Sequence, residues 1–408
     1  MGEIEALMPD VSYEELREAT QSDRWLQNFL TSVWEKVHGK TVLTAYPWHQ
    51  AYSLIDLCNA SCAFCPCTYE TTGIFDITRL PRLLEVMSFA RTLILTGGEC
   101  TIHPQFREIL QEIAKVVDKR CHLSIISNGA RLNRFMDEFK ALNVNFSISL
   151  NAATPETHER VMKLGPNALP GILDSIRILR GMGKYLCASL VVNQQNLHEV
   201  PAFVALCHEL NVNAIYIYTL NPLTGGEATT SLEAKYMDGF AAMPPYKHPE
   251  FESLRATAAK AIAASKLPIF ADPTKWSTPV EMKKFDPALL KVKGETGVKP
   301  ITLTKGERLS EEMWKLDAGF LDQGNPYQRS APFSCNLLYF SLNILHLDMS
   351  VQGCCFIHQV PGFELNGFLA SENFFEMWNA PAFVELRRSL QEGPLLPICK
   401  MCTYQMSY

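Results

Sequence analysis

Six short apolar runs, each parted from the next by a helical stretch, constrain this chain more than any other feature. They cover residues 52–57, 92–96, 122–126, 145–150, 186–192 and 214–218. Short runs of this kind, rich in Ile, Leu, Val, Ser and Tyr, read as strands. Between them, 106–117, 132–142, 172–180 and 199–210 space their apolar residues three and four apart, which is helical. Strands parted by helices of that length make βαβ units and a parallel sheet, an α/β fold. Six units are too few to close an eight-stranded barrel, which runs to ~250 residues.

The polar breaks fall just after the strands. The first is a cysteine loop, the second Gly97-Gly98-Glu99, the third Ser127-Asn128-Gly129, and Asn151 follows the fourth strand. Ligands bind at the carboxyl ends of strands in parallel sheets. All four breaks are therefore expected at one mouth.

The loop after the first strand reads Cys58-Asn-Ala-Ser-Cys62-Ala-Phe-Cys65, a C-x3-C-x2-C spacing with Phe64 before the last cysteine. Three thiolates this close cannot saturate a four-iron cluster, because each iron needs an outer ligand. One iron stays open to a small molecule, which points to a reactive cluster rather than a plain electron carrier. A zinc knuckle competes with this reading, although structural zinc takes four ligands in paired units and the nearest further thiol is Cys67. A set of buried, unliganded cysteines is the third reading.

Composition narrows the rest. At 408 residues the chain exceeds one typical domain of ~100–200 residues. Hydrophobic residues make up 47% and charged residues 20%, ordinary for a soluble globular protein. A net charge of −6 gives no reason to expect nucleic acid or an anionic membrane as partner. No apolar run approaches the ~20 residues of a membrane span. The start, Met-Gly-Glu-Ile-Glu-Ala, lacks a signal peptide's basic and apolar regions, and Ala6 stands where a myristoylation start needs Ser or Thr. The expected location is the cytoplasm. The 13 cysteines form two groups, Cys58, Cys62, Cys65, Cys67 and Cys335, Cys354, Cys355, Cys399, Cys402. Without a secretory signal, grouped cysteines favour metal over disulfides. Cys121, Cys187 and Cys207 stand singly in apolar stretches and read as core.

Outside the alternation the reading is coarser. Residues 13–38 read as one helix, 254–264 as another, and 267–271 as a short strand. Residues 279–328 have no sustained period and fit a substrate-contacting insert or a surface excursion equally well. Towards the end, 340–347 reads as a strand, 348–355 as a turn and return strand, and 376–379 with 383–390 as helix.

These motifs together resemble a radical S-adenosylmethionine enzyme with a C-terminal auxiliary-cluster domain of the Twitch or SPASM type. The Cys58, Cys62, Cys65 triad with Phe64 matches that family's signature, and Thr96-Gly-Gly-Glu99 matches its GGE motif. Ser127-Asn128-Gly129 and Ser149-Leu-Asn151 lie where the family places polar contacts to the cofactor's carboxylate and ribose, with Asn151 standing where Asp is more frequent. The resemblance covers roughly 50–270 and 331–402. It implies a partial (β/α)6 TIM-like barrel with a small C-terminal α+β cluster-binding domain. The expected division is a helical extension over 1–50, the barrel over 51–235, a connecting insert over 236–330 and the cluster domain over 331–408.

The resemblance implies the rest of the site as well. A 4Fe–4S cluster on the three cysteines would bind S-adenosylmethionine, with Phe64, Gly97, Gly98, Glu99, Ser127, Asn128, Ser149 and Asn151 around the cofactor. A 5′-deoxyadenosyl radical would then take a hydrogen atom from a small-molecule substrate. A donor such as flavodoxin or ferredoxin would supply the electron. Cys335, Cys354, Cys399 and Cys402 follow the Twitch pattern for an auxiliary 4Fe–4S cluster, with Met349 where the family's turn has Gly. Tetrahedral zinc, which four thiolates would also suit, is the alternative reading. Cys67 and Cys100 are candidate hydrogen-atom donors, with mere occupancy as the alternative. The expected reaction is oxidation of a sugar or cyclitol alcohol. Redox-neutral epimerisation and peptide modification are the competing outcomes.

Overall fold

The computed structural model describes residues 2–62, 64–65, 73–219, 244–276, 335, 337–344, 351–352, 373–395 and 399. Within them, strands β1 His49–Ser53, β2 Thr92–Thr96, β3 His122–Ser127, β4 Val144–Ser149, β5 Leu186–Val192, β6 Ala214–Thr219, β7 Ile269–Phe270, β8 Ser341–Ile344 and β9 Val351–Gln352 form one sheet. Its order is β7-β6-β5-β4-β3-β2-β1-β8-β9. Every described pairing is parallel except β8 with β9. The sheet is not closed, so the α/β architecture is an open, partial TIM-like barrel.

The register separates two faces of opposite character. Tyr52, Leu93, Leu95, Leu123, Ile125, Phe146, Ile148, Leu190 and Ile215 point outward and are at most 3% exposed. Helices cover this face, because their own apolar residues recur at helical spacing. In α5, here Phe106–Val116, those are Phe106, Ile109, Leu110 and Ile113. The opposite, concave face carries mostly small and polar residues in matching rows, such as Ser53 beside Thr96 and Ser149 beside Ser189 and Tyr216, with Ile94 and Ile126 among them.

The first strand starts earlier than its apolar run implied. Polar His49 and Gln50 open it, and Leu54 and Ile55 lie beyond its end. Leu54 and Ile55 are buried not as strand but as the base of the cysteine loop. The helix expected over 13–38 is two helices, Tyr13–Thr20 and Arg24–Val37. Asp23 explains the break, since its carboxylate accepts from Leu26 N at 3.0 Å and caps the second helix.

Beside β1, N-terminal and C-terminal segments of the chain meet. Of the run read as one strand over 340–347, Phe340 ends a short helix, Leu337–Phe340, residues 341–344 form β8, which pairs in parallel with β1, and 345–347 lie outside the described residues. Helix Pro381–Glu392 packs nearby and carries the fully buried Arg387. Its guanidinium donates to the carbonyls of Leu338, Thr41 and Trp378 at 2.9–3.0 Å. The Asn379 amide closes a reciprocal pair with Leu43 N and O at 2.8 Å each. Among the described residues no helix is long and apolar enough to cross a membrane.

Candidate functional site

The cysteine loop leaves the end of β1 through a narrow neck. Ile55 bridges Ile74 in antiparallel fashion, Phe75 N donates to Leu54 O at 2.9 Å, and Asp56 N donates to Gly73 O at 2.9 Å. The turn after β2 lies against that neck. Gly98 N donates to Ile55 O at 2.7 Å and Glu99 N to Leu57 O at 2.9 Å. A Cβ on Gly98 would come within 2.2 Å of Leu57 O, and one on Gly97, at φ +137°, within 2.4 Å of Ile55 O. Glycine is therefore needed for approach of the chain's own backbone, not only of a ligand.

Glu99 ties this turn to the next one. Its buried carboxylate accepts from Thr101 Oγ1, Thr101 N, Ser127 Oγ and Asn128 N. Burial pushes its carboxyl up, against those hydrogen bonds. Ser127 is thus engaged internally, since its hydroxyl also accepts from Gly129 N at 2.9 Å. Asn128 faces the loop instead. Its Nδ2 donates to Asn59 Oδ1 at 2.8 Å and lies 3.7 Å from Cys58 Sγ.

The end of β4 reaches the loop from the other side. Asn151 sits at φ +58°, a left-handed conformation that Asn tolerates well. Its Oδ1 accepts from Val191 N at 2.8 Å, and its Nδ2 points to Met162 Sδ at 3.0 Å. Met162 ends α7, Pro155–Met162. Its Sδ stands 3.4 Å from Cys62 Sγ, and its carbonyl accepts from Ser61 N at 3.1 Å. Phe64 is buried against Val161 and Met162, so it anchors the loop to this helix. Ser149 lies level with Ser189 on the concave face and is partly exposed.

Cys58, Cys62 and Cys65 are all partly exposed. Desolvation, with the neighbouring charges of Cys65 and Cys58, pushes the Cys62 thiol up to about 12. Among the described residues, no three His, Cys, Asp or Glu side chains already enclose a metal position. The donor set nonetheless suits an iron–sulfur cluster, with three soft thiols on one loop that is tied at its neck, to Asn128 through Asn59 and to Met162 through Ser61.

The other candidates fare unevenly. Cys100 is fully buried in the core, its Sγ 3.5 Å from Ile126 O, and burial pushes its thiol well up. It does not reach the mouth, which corrects its place among hydrogen-atom donors. Cys335 and Cys399 are partly buried against the core. Cys67, Cys354 and Cys402 lie outside the described residues. Sequence reasoning missed Met162 and Glu199, and His103 supports the site as well. His103 Nε2 bonds Phe75 O at 3.0 Å and its Nδ1 accepts from Gln105 N, which pins the neck. Glu199 accepts from Ala153 N, Thr154 N and Thr154 Oγ1 at the start of α7. Burial pushes that carboxyl up, but these hydrogen bonds outweigh it and hold it below its usual value. A carboxylate just before a helix, as Glu199 is before Val200, carries no local signal, and neither does a lone Met at a helix end.

Across the sheet, the concave face carries Ser53, Thr96, Ser124, Ser147, Ser149 and Ser189, with Ile94 and Ile126 between them, and then Tyr216, Tyr218 and Phe270. Tyr216 stacks on Phe270 with centroids 4.7 Å apart. Among the described strand residues no Asp, Glu, Lys or Arg points to this face.

Residues 52–207 match the model of the Radical SAM superfamily. "Probable GTP 3',8-cyclase" of Sulfolobus acidocaldarius is 26% identical over 181 residues, 43% of this chain and 56% of that protein. The protein of the same description from Metallosphaera sedula is 26% identical over 188 residues, 44% of this chain and 57% of its own length. The matched part thus spans little more than half of these relatives. Among solved structures, Streptococcus suis SuiB bound to S-adenosylmethionine aligns with a TM-score of 0.53 at 12% identity, covering 95% of this chain and 80% of that one. SuiB bound to precursor peptide SuiA aligns with a TM-score of 0.51 at 13% identity, over 91% and 70%. At such identities the likeness is one of fold.

Proposed function

We propose that this protein is a radical S-adenosylmethionine enzyme whose 4Fe–4S cluster is held by Cys58, Cys62 and Cys65. The observation that carries this reading is the hydrogen-bonded assembly of the cysteine loop, the Gly97-Gly98-Glu99 turn and Asn128 at the carboxyl ends of β1, β2 and β3. When bound, the cluster and S-adenosylmethionine together supply a 5′-deoxyadenosyl radical that takes a hydrogen atom from substrate. The chain's part is to bind and orient. Gly97, Gly98, Glu99, Ser127, Asn128, Ser149 and Asn151 frame the cofactor, and Phe64 holds the loop in place. A reducing partner such as flavodoxin or ferredoxin delivers the electron.

The substrate reading follows from the concave face. Its hydroxyl rows and lack of charged side chains among the described strand residues suit a small, uncharged polar molecule of sugar or cyclitol type. A nucleoside triphosphate, as in the cyclases' printed name, would call for cations there. Cys335, Cys354, Cys399 and Cys402 would hold an auxiliary 4Fe–4S cluster, and full ligation suits one-electron transfer rather than substrate coordination. That arrangement favours oxidation. Epimerisation is the second reading, with Cys67 as the remaining thiol donor now that Cys100 is buried. Peptide modification rests on the likeness of fold to SuiB alone.

Anaerobic reconstitution tests the cluster assignments. The wild type should take up two four-iron clusters, and the Cys58→Ala/Cys62→Ala/Cys65→Ala variant about half that iron. Zinc in the wild type, or no iron in a folded triple variant, contradicts the two-site reading. Reduced wild type should also release 5′-deoxyadenosine.

A further inference from the structure

Helix α7 does more than cover the sheet, because its last residue touches both sides of the mouth. The final carbonyls of a helix have no partner within it. Met162 O finds one outside, in Ser61 N of the cysteine loop at 3.1 Å. Its side chain, only 2% exposed, runs between two groups that come from different elements. Sδ stands 3.4 Å from Cys62 Sγ and 3.0 Å from Asn151 Nδ2. The Asn151 amide is fixed in orientation, since Val191 N occupies its Oδ1 at 2.8 Å. One side chain therefore sets the middle thiol of the loop relative to the end of β4. A thioether suits this place, being flexible, polarizable and a weak acceptor that an apolar side chain of the same volume is not.

We propose that Met162 is a positioning residue that couples the cysteine loop to Asn151, so that the cluster and the cofactor's ribose side are held in register. The proposal rests on the functional reading above and goes beyond it by assigning a residue outside the motifs. Two consequences separate positioning from mere space-filling. Met162→Leu keeps the volume and the Ser61 bond but removes the sulfur acceptor. Met162→Ala also removes the wall against Phe64 and Cys62.

The experiment has an arm without cluster and an arm with it. In the cluster-free protein, mass-spectrometric alkylation by iodoacetamide should modify Cys62 several-fold faster in Met162→Ala than in wild type, with Met162→Leu close to wild type. In the reconstituted protein, binding of S-adenosylmethionine should weaken about three- to tenfold in Met162→Leu, the size of one lost hydrogen bond. It should weaken no further when Met162→Leu is added to Asn151→Ala, because the coupled pair is already broken. Unchanged alkylation in Met162→Ala, or additive losses in the double variant, overturns the proposal. Failure of the wild type to bind iron and S-adenosylmethionine would instead strike the functional reading, and the alkylation arm would still decide whether Met162 holds the loop.

Discussion

Gly98 has a carbonyl oxygen where its side chain would be. With Leu57 O 2.2 Å from the would-be Cβ, Gly98→Val must push the entrance of the cysteine loop away. That movement also breaks the Glu99 N to Leu57 O bond. The expected cost is about 3 kcal/mol or more, together with loss of iron from the loop. Thermal melting and iron content of the variant measure both, and a folded variant with full iron would refute this account of the turn. A second residue links the neck to pH. Burial holds His103 below the ordinary imidazole value, despite its bond to Phe75 O. Because the folded pKa lies below the unfolded one, the contribution of the neutral ring is full above about pH 6.5 and is lost as pH falls below it. His49 and His158 are shifted down by burial in the same way. The melting temperature should therefore drop as pH falls below about 6.5, and His103→Gln should flatten part of that drop. An equally steep curve in the variant would remove His103 from the neck's balance.

At the scale of elements, strands and helices were legible where periodicity was clean. β2 and β5 have the expected bounds, and β3, β4 and β6 differ by single residues at their ends. The misreadings have local causes. The apolar run after β1 continues into a buried loop base, and a cap inside 13–38 divides a continuous apolar face. Helix Leu80–Ser88 went unread although its buried Leu80, Leu83, Val86 and Met87 have helical spacing. Of the site, the motif residues were legible and their supports were not, because Glu199, Met162 and His103 act through tertiary contacts. Glu199 is the clearest case. It satisfies Ala153 N and Thr154 N ahead of α7, and Thr154 in turn caps the helix by accepting from Thr157 N at 3.3 Å. Glu199→Ala should destabilise the protein by about 2–4 kcal/mol, by leaving those donors buried and unpaired, while Glu199→Gln keeps one acceptor oxygen and costs less than half as much. Denaturant melts of the two variants check the ranking. Equal losses would show that the carboxylate's charge, not its acceptor geometry, matters there.

Across the molecule, N-terminal and C-terminal segments meet beside β1, the strand that launches the cysteine loop. β8 extends the sheet past β1, and the Asn379–Leu43 pair and Arg387 join the C-terminal helices to the segment after the N-terminal ones. Arg387 is the hinge of this junction, because one planar guanidinium serves three carbonyls from three separate segments while lying against the rings of Trp378 and Phe383. An ammonium has no such fork, so Arg387→Lys should not rescue the contact. Arg387→Met fills similar space but leaves Leu338 O, Thr41 O and Trp378 O without their donor. The expected loss is about 3–5 kcal/mol. It should be local before it is global. Hydrogen exchange should show protection lost first in β8, helix Pro381–Glu392 and the end of the Arg24–Val37 helix, with β4, β5 and β6 protected as in wild type. Because β1 pairs with β8 on one side and β2 on the other, the cysteine loop should loosen with that edge, and iron uptake at Cys58, Cys62 and Cys65 should fall although no ligand has changed. Uniform loss of protection across the sheet, or full iron uptake with β8 unprotected, would show that the junction is not coupled to the loop.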